Sequence, residues 1–138
     1  MSFFPTIWDV LHDGFIVGAS CEAPGTVRLD ISIEYLRERF ADPGELIQIT
    51  LIGCTRFAYR GYDDPEFITD LSAIAQLGPD FMSAELLDGL CRVHCLNGEL
   101  EIAATGGSLN LDSGRGLDLE ELIDVAKAYW TEFNERGK

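Results

Sequence analysis

The side chains best suited to nucleophilic, acid–base or metal chemistry are few: two histidines and four cysteines in 138 residues. His12 stands directly before Asp13 and Gly14 in the stretch WDVLHDGFIVGAS, residues 8–20. An imidazole beside a carboxylate can act as a general base with its orienting acid. Adjacent residues, however, rarely aim at one reacting atom, and no nucleophile stands nearby in the chain. A structural role accounts for the pair more simply. His12 then falls at a helix C-terminus, where the dipole favours a cation, and Asp13 bonds backbone amides at the start of a first strand. His12 and Asp13 are kept as the candidate pocket of a small enzyme or ligand-binding domain, the second of two functional readings.

Two further stretches resemble metal sites in outline. CRVHC (91–95) holds Cys91, His94 and Cys95, but zinc ligands must converge on one ion. On a strand the two cysteines stand roughly 13 Å apart at about 3.3 Å per residue, with His94 on the opposite face. NLDSGRGLDLEE (110–121) places Asn110, Asp112, Gly114, Gly116, Asp118 and Glu121 in the order of a calcium loop. Its sixth position needs glycine for the sharp turn and holds Arg115 instead. The chain has no nucleophile elbow, no phosphate-binding loop and no dinucleotide fingerprint. No catalytic residue, metal or cofactor is therefore assigned, and the reading leans away from an enzyme.

What remains is surface. GYDDPEF (61–67) sets Tyr62, Asp63, Asp64 and Glu66 on one loop. Carboxylates around an aromatic ring suit a lysine- or arginine-rich partner, because the acids attract and the ring stacks. The whole chain points the same way: 24 acidic residues against ten basic ones give a formal charge of −14. Such a field opposes phosphates, so neither nucleic acid nor an anionic membrane is an expected partner. It also serves plain solubility. No apolar run reaches the roughly 20 residues that span a bilayer, and MSFFPTIWDV lacks the basic start of a secretory signal. A cytoplasmic location is expected, with Cys21, Cys54, Cys91 and Cys95 as reduced, mostly buried thiols.

The elements that must position these groups read as follows. Pro5 and Thr6 precede Ile7, Trp8, Val10 and Leu11 and predict a short helix, capped by Thr6, with Asp9 near its positive end and Gly14 as its left-handed stop. Alternating residues about Glu22-Ala23-Pro24-Gly25 predict two strands, the second with Val27, Leu29, Ile31 and Ile33 on one face. Residues 34–40 fit both periods, and the strand is expected to run on to about Leu36. Leu46–Tyr59 reads as the longest strand, with a bulge or bend at Gly53. Asp70 caps a short apolar turn, Leu71–Leu77, closed by Gly78. A strand over Met82–Leu87, a hairpin about Asn97-Gly98 and a short strand at Leu109 and Leu111 follow.

The C-terminal helix is the clearest element. Asp118 and Glu121 form a capping-box pattern, and Leu119, Leu122, Ile123, Ala126, Trp130 and Phe133 make one apolar stripe. Together these predict a single α+β domain over residues 1–138. It has a mainly antiparallel sheet of about six or seven strands, the long helix on one face and a short N-terminal helix.

Three stretches also carry a resemblance. IWDVLHDGFI, with its Trp-x-x-Leu-His-Asp-Gly opening, VRLDISIEYLR and EELIDVAKAYW resemble segments of small bacterial α+β proteins, some of them similar to immunity proteins of polymorphic toxin systems. The resemblance implies a non-catalytic protein that binds and blocks a partner toxin, and it supplies no catalytic residue. The first functional reading is thus an acidic binding protein for a cationic protein partner, with Tyr62, Asp63, Asp64 and Glu66 as contacts. Association between copies through an exposed strand edge stays open.

Overall fold

The computed structural model describes residues 3–136. Helix α1 (Thr6–Val10) is followed by strands β1 (Phe15–Ala23) and β2 (Thr26–Ser32). These two meet at Pro24-Gly25, where proline pre-sets φ and Gly25 takes φ 75°. Helix α2 (Glu34–Arg37) leads to β3 (Leu46–Ile52) and β4 (Arg56–Gly61). Helix α3 (Leu71–Leu77) precedes β5 (Ser83–Leu87), β6 (Leu90–His94) and β7 (Gly98–Ala103). Strands β8 (Gly106–Leu111) and β9 (Gly116–Leu117) and helix α4 (Leu119–Arg136) complete the described residues.

The fold class read from the sequence holds: α+β, with antiparallel strands, a short N-terminal helix and a long C-terminal one. Among the described residues the strands number nine and divide into two sheets, ordered β1-β2-β3-β8-β9 and β4-β7-β6-β5. The single strand expected over Leu46–Tyr59 is where they part. Gly53 takes φ 63°, and a Cβ there would lie 2.3 Å from Thr105 Oγ1. Thr105 sits on the return passage, where its amide and hydroxyl donate to the Ile52 carbonyl at 2.9 and 3.0 Å. Thr55 N–H donates to the Ala103 carbonyl at 2.9 Å. The two passages between sheets thus run side by side and hold one another.

Alternation along each strand supplies the core. Cross-strand rows Ile31–Ile47–Leu111 and Leu29–Ile49–Leu109 line the first sheet. Phe57–Ile102–Cys91 and Tyr59–Leu100–Val93 line the second. All are buried, in one cluster that draws on both sheets, and each large aliphatic side chain contributes about 1.5–3 kcal/mol. Helix α4 lies against α1 and α2; Leu122 and Ala126 join the core, while Phe133, at the far end of the expected stripe, is 53% exposed. Helix α3 has its expected ends: Asp70 accepts from the amides of Ser72 and Ala73, and Gly78 is left-handed at φ 60°.

Other local expectations change. Residues 34–37 are helical, not the tail of β2. The helical spacing wins because it buries Ile33, Leu36 and Phe40 together. Pro5, not Thr6, precedes α1, and no side chain caps that helix. Asp9 instead accepts, through Oδ1, the Ala84 amide of β5 at 3.2 Å. Asp13, at φ 70°, takes the left-handed conformation expected of Gly14. Gly14 answers a packing need: a Cβ there would lie 3.0 Å from the Leu11 carbonyl and 3.2 Å from Ile33. Glu121 turns to Arg115 Nη1 at 3.3 Å rather than to the start of α4.

The helical α2 carries Arg37 inward, where its side chain is only 3% exposed. Its Nε and Nη2 donate to Asp112 Oδ1 at 3.2 and 2.9 Å. Nε also reaches the Leu46 carbonyl, Nη1 that of Asp42 and Nη2 that of Pro43. Asp112 Oδ2 accepts the amides of Glu45 and Leu46 at 2.8 and 3.0 Å. Removing one partner of such a pair leaves a buried charge uncompensated. Asp112→Asn should therefore lower stability in urea by about 3 kcal/mol, at the low end for buried pairs because Asp112 is partly exposed.

Burial raises the pKa of Asp112, but the Glu45 amide, Arg37 and the Leu46 amide outweigh it and hold the carboxyl below its ordinary 3.8. Glu101, on β7, is likewise raised by burial and more strongly lowered by Arg56 and Arg92, to below 4.5. A carboxyl depressed by folding stabilises the folded state above its unfolded pKa and loses that contribution as pH falls through the folded value. Stability should thus be flat with respect to these groups near neutrality and fall below about pH 4. Urea midpoints measured across that range check it, and the Asp112→Asn protein should show a shallower decline.

Candidate functional site

The acidic loop begins where β4 ends. Tyr62 N–H donates to the Asn97 carbonyl at 3.0 Å, and its hydroxyl donates to the Cys95 carbonyl at 3.1 Å. The ring is thereby laid over the β6–β7 turn while remaining 56% exposed. Asp64 N–H donates to the Gly61 carbonyl at 3.0 Å, which closes a tight turn. Asp63, Asp64 and Glu66 are exposed, and none forms a salt bridge among the described residues. Behind them the guanidinium groups of Arg56 and Arg60 lie 5.1 and 5.0 Å from the Phe67 ring centre. Those arginines are engaged at 2.7 Å with Glu101 and Glu99 on β7. The four residues singled out from the sequence do lie together, and the loop's nearest cations are spent elsewhere.

His12 and Asp13 form a joint. His12 Nδ1 lies 2.8 Å from the Met82 carbonyl; a carbonyl only accepts, so Nδ1 carries the proton. Nε2 faces Asp13 Oδ1 at 3.6 Å. The Tyr35 hydroxyl donates to the His12 carbonyl, and Asp13 N–H donates to the Phe81 carbonyl at 2.9 Å. The pair therefore ties the end of α1 to the segment before β5 and to α2. A concavity of about 500 Å³ lies beside it, lined by Asp13, Phe15, Glu34, Tyr35 and Glu38 among others. His12 is not among its lining residues, nor is any cysteine.

Sequence reasoning missed this concavity because it ran β2 through Tyr35. The signal was present: Ile33, Leu36 and Phe40 have helical spacing, and a helix there puts Glu34 and Glu38 on one face. Tyr35 is held on its inner side by Tyr129 and Trp130 of α4, with ring centres 4.4 and 5.7 Å away. Arg39 lies over the Tyr129 ring at 5.3 Å and pairs with Glu132. Burial first, then Asp13 and Tyr129, push the Tyr35 hydroxyl well above the usual phenol range.

The two metal outlines resolve into other contacts. Cys91 and Cys95 are buried, while His94 faces out, 3.6 Å from Glu85. Asp112 is taken by Arg37, and Arg115 bridges Asp42 and Glu121. Among the described residues no group of three or more His, Cys, Asp or Glu side chains is placed to hold a metal ion. No helix there is long and apolar enough to cross a membrane. Comparison with family models, curated proteins and solved structures gives no match to the chain.

The thiols differ more than the sequence suggested: Cys21 is exposed and Cys54 intermediate, while Cys91 and Cys95 are buried. Burial raises the pKa of Cys54 and Cys91, and burial together with Asp80 pushes Cys95 up to about 12. Only thiolates react readily. A colorimetric disulfide reagent should label Cys21 at once, Cys54 more slowly, and Cys91 and Cys95 only in denaturant. Native labelling of Cys91 at the rate of Cys21 would show that the second sheet opens.

Proposed function

We propose that this chain is a non-catalytic acidic binding protein that associates, in the cytoplasm, with a cationic protein partner, as an immunity-type inhibitor does with its toxin. One observation carries this reading. Every arginine from Arg28 to Arg115 is already paired with a carboxylate of the same chain. The formal charge of −14 is therefore expressed by carboxylates that the arginines leave uncompensated, and these include Asp63, Asp64 and Glu66. A surface of that kind steers a basic protein into encounter. Tyr62 supplies an exposed ring, held in place, on which a cationic side chain can stack.

The protein, immobilised, should capture from its host lysate a basic protein that elutes as salt is raised, because exposed charges are screened within about 8 Å at physiological ionic strength. Asp63→Asn with Asp64→Asn should weaken the purified complex by about threefold to tenfold at low salt, as expected for rim charges. Affinity unchanged by the double substitution removes the loop from the interface. A complex that is indifferent to salt, or the lack of any basic partner, overturns the reading.

A further inference from the structure

We propose that the concavity between the start of β1 and α2 is the seat for one arginine side chain of the cationic partner; this rests on the binding reading above and adds a second contact to it. The walls match that chemistry. Phe15, 42% exposed, and Tyr35 contribute aromatic rings to the lining, and Asp13, Glu34 and Glu38 supply carboxylates around a space of about 500 Å³. A guanidinium stacks on aromatic rings and donates to two carboxylate oxygens at once in a planar fork, which an ammonium does not.

None of these carboxylates is closed by a lysine or arginine among the described residues, and Arg39 acts on Glu38 only through its field. Glu34 and Glu38 form no salt bridge among the described residues, and Asp13 faces only His12 at 3.6 Å. Arg37, between the two glutamates in sequence, is turned into the body and committed to Asp112. Arg39 is committed to Glu132. Glu34 and Glu38 are therefore like charges one helical turn apart, a repulsion that an inserted cation relieves. The seat is also fixed in advance, since Tyr35 is held by its hydroxyl bond to His12 and by Tyr129 and Trp130. Preformed geometry reduces the ordering cost of binding.

A chain of backbone contacts links the concavity to the acidic loop. Phe15 is bridged to Asp80, Asp80 Oδ1 accepts the Leu96 amide at 2.9 Å, and the next residue, Asn97, accepts from Tyr62.

The probe is the blocked peptide acetyl-Gly-Arg-Gly-amide, titrated into the isotope-labelled protein and followed by amide shifts. Saturable shifts are expected at Asp13, Phe15, Glu34, Tyr35 and Glu38, weaker with the lysine peptide and lacking with the citrulline peptide. Glu34→Gln with Glu38→Gln should weaken the arginine peptide at least tenfold while leaving the thermal midpoint and circular dichroism unchanged. Asp63→Asn with Asp64→Asn should leave peptide binding as it was. Shifts that never saturate, or that spread over all acidic surface alike for arginine and lysine, overturn the seat and leave the binding reading standing. So does a captured partner whose affinity responds to the loop substitutions and not to those on α2.

Discussion

The structure turns on one buried charge. Arg37 can be inside because each of its guanidinium nitrogens finds an acceptor, and those acceptors come from separate parts of the chain. Past the buried Phe40 the loop between α2 and β3 has no large apolar side chain to hold it, and it is shaped around the guanidinium instead. Gly44, at φ 134°, passes where a Cβ would lie 2.1 Å from Asp112 and 2.6 Å from Arg37. Through Asp112 the same contact fixes the end of β8 against the start of β3. A buried ion pair of this kind is a poor source of net stability, because desolvation offsets its attraction. Its value is in position: with Arg37 turned in, α2 presents its glutamates outward.

Much of this architecture is legible in the residues, and the illegible parts have a common physical cause. Alternation gave β2, β3 and β6 their faces, because one side of each strand must be buried, and Asp70 with Gly78 marked both ends of α3. The split into two sheets was not visible. It depends on Gly53 meeting Thr105, a contact between residues 52 positions apart, and Gly53 alone signals only a bend. Residues 34–37 failed for a similar reason. Their local pattern serves strand or helix, and the choice is made by what the helix buries, Ile33, Leu36 and Phe40, with Arg37 meeting Asp112. The loop acids were legible because their chemistry is in one segment; the concavity was not, since its walls come from two segments, 13–15 and 32–38, that only the fold brings together.

The distribution of charge is as informative as its sum. This chain uses its arginines internally, in the ladder of Arg56, Arg60 and Arg92 with Glu99 and Glu101 across the second sheet and in the bridges of Arg39 and Arg115. Local neutrality where elements meet leaves the surplus acids on loops and helix faces. Electrostatics here separates into a structural part, paired and short-ranged, and an external part, unpaired and felt at a distance.

Asp9 illustrates that separation at a single residue. Strand β5 borders its sheet, with Leu86 and Leu87 exposed, and a bordering strand with apolar side chains is a template for recruiting another chain. The Asp9 carboxylate occupies the Ala84 amide on that border. A side chain from the first helix thus fills a position that a foreign strand would need, and it brings a negative charge that a like-charged copy must approach. The first helix thus places a guard on the border of the second sheet, supplied by a residue far from that strand in sequence.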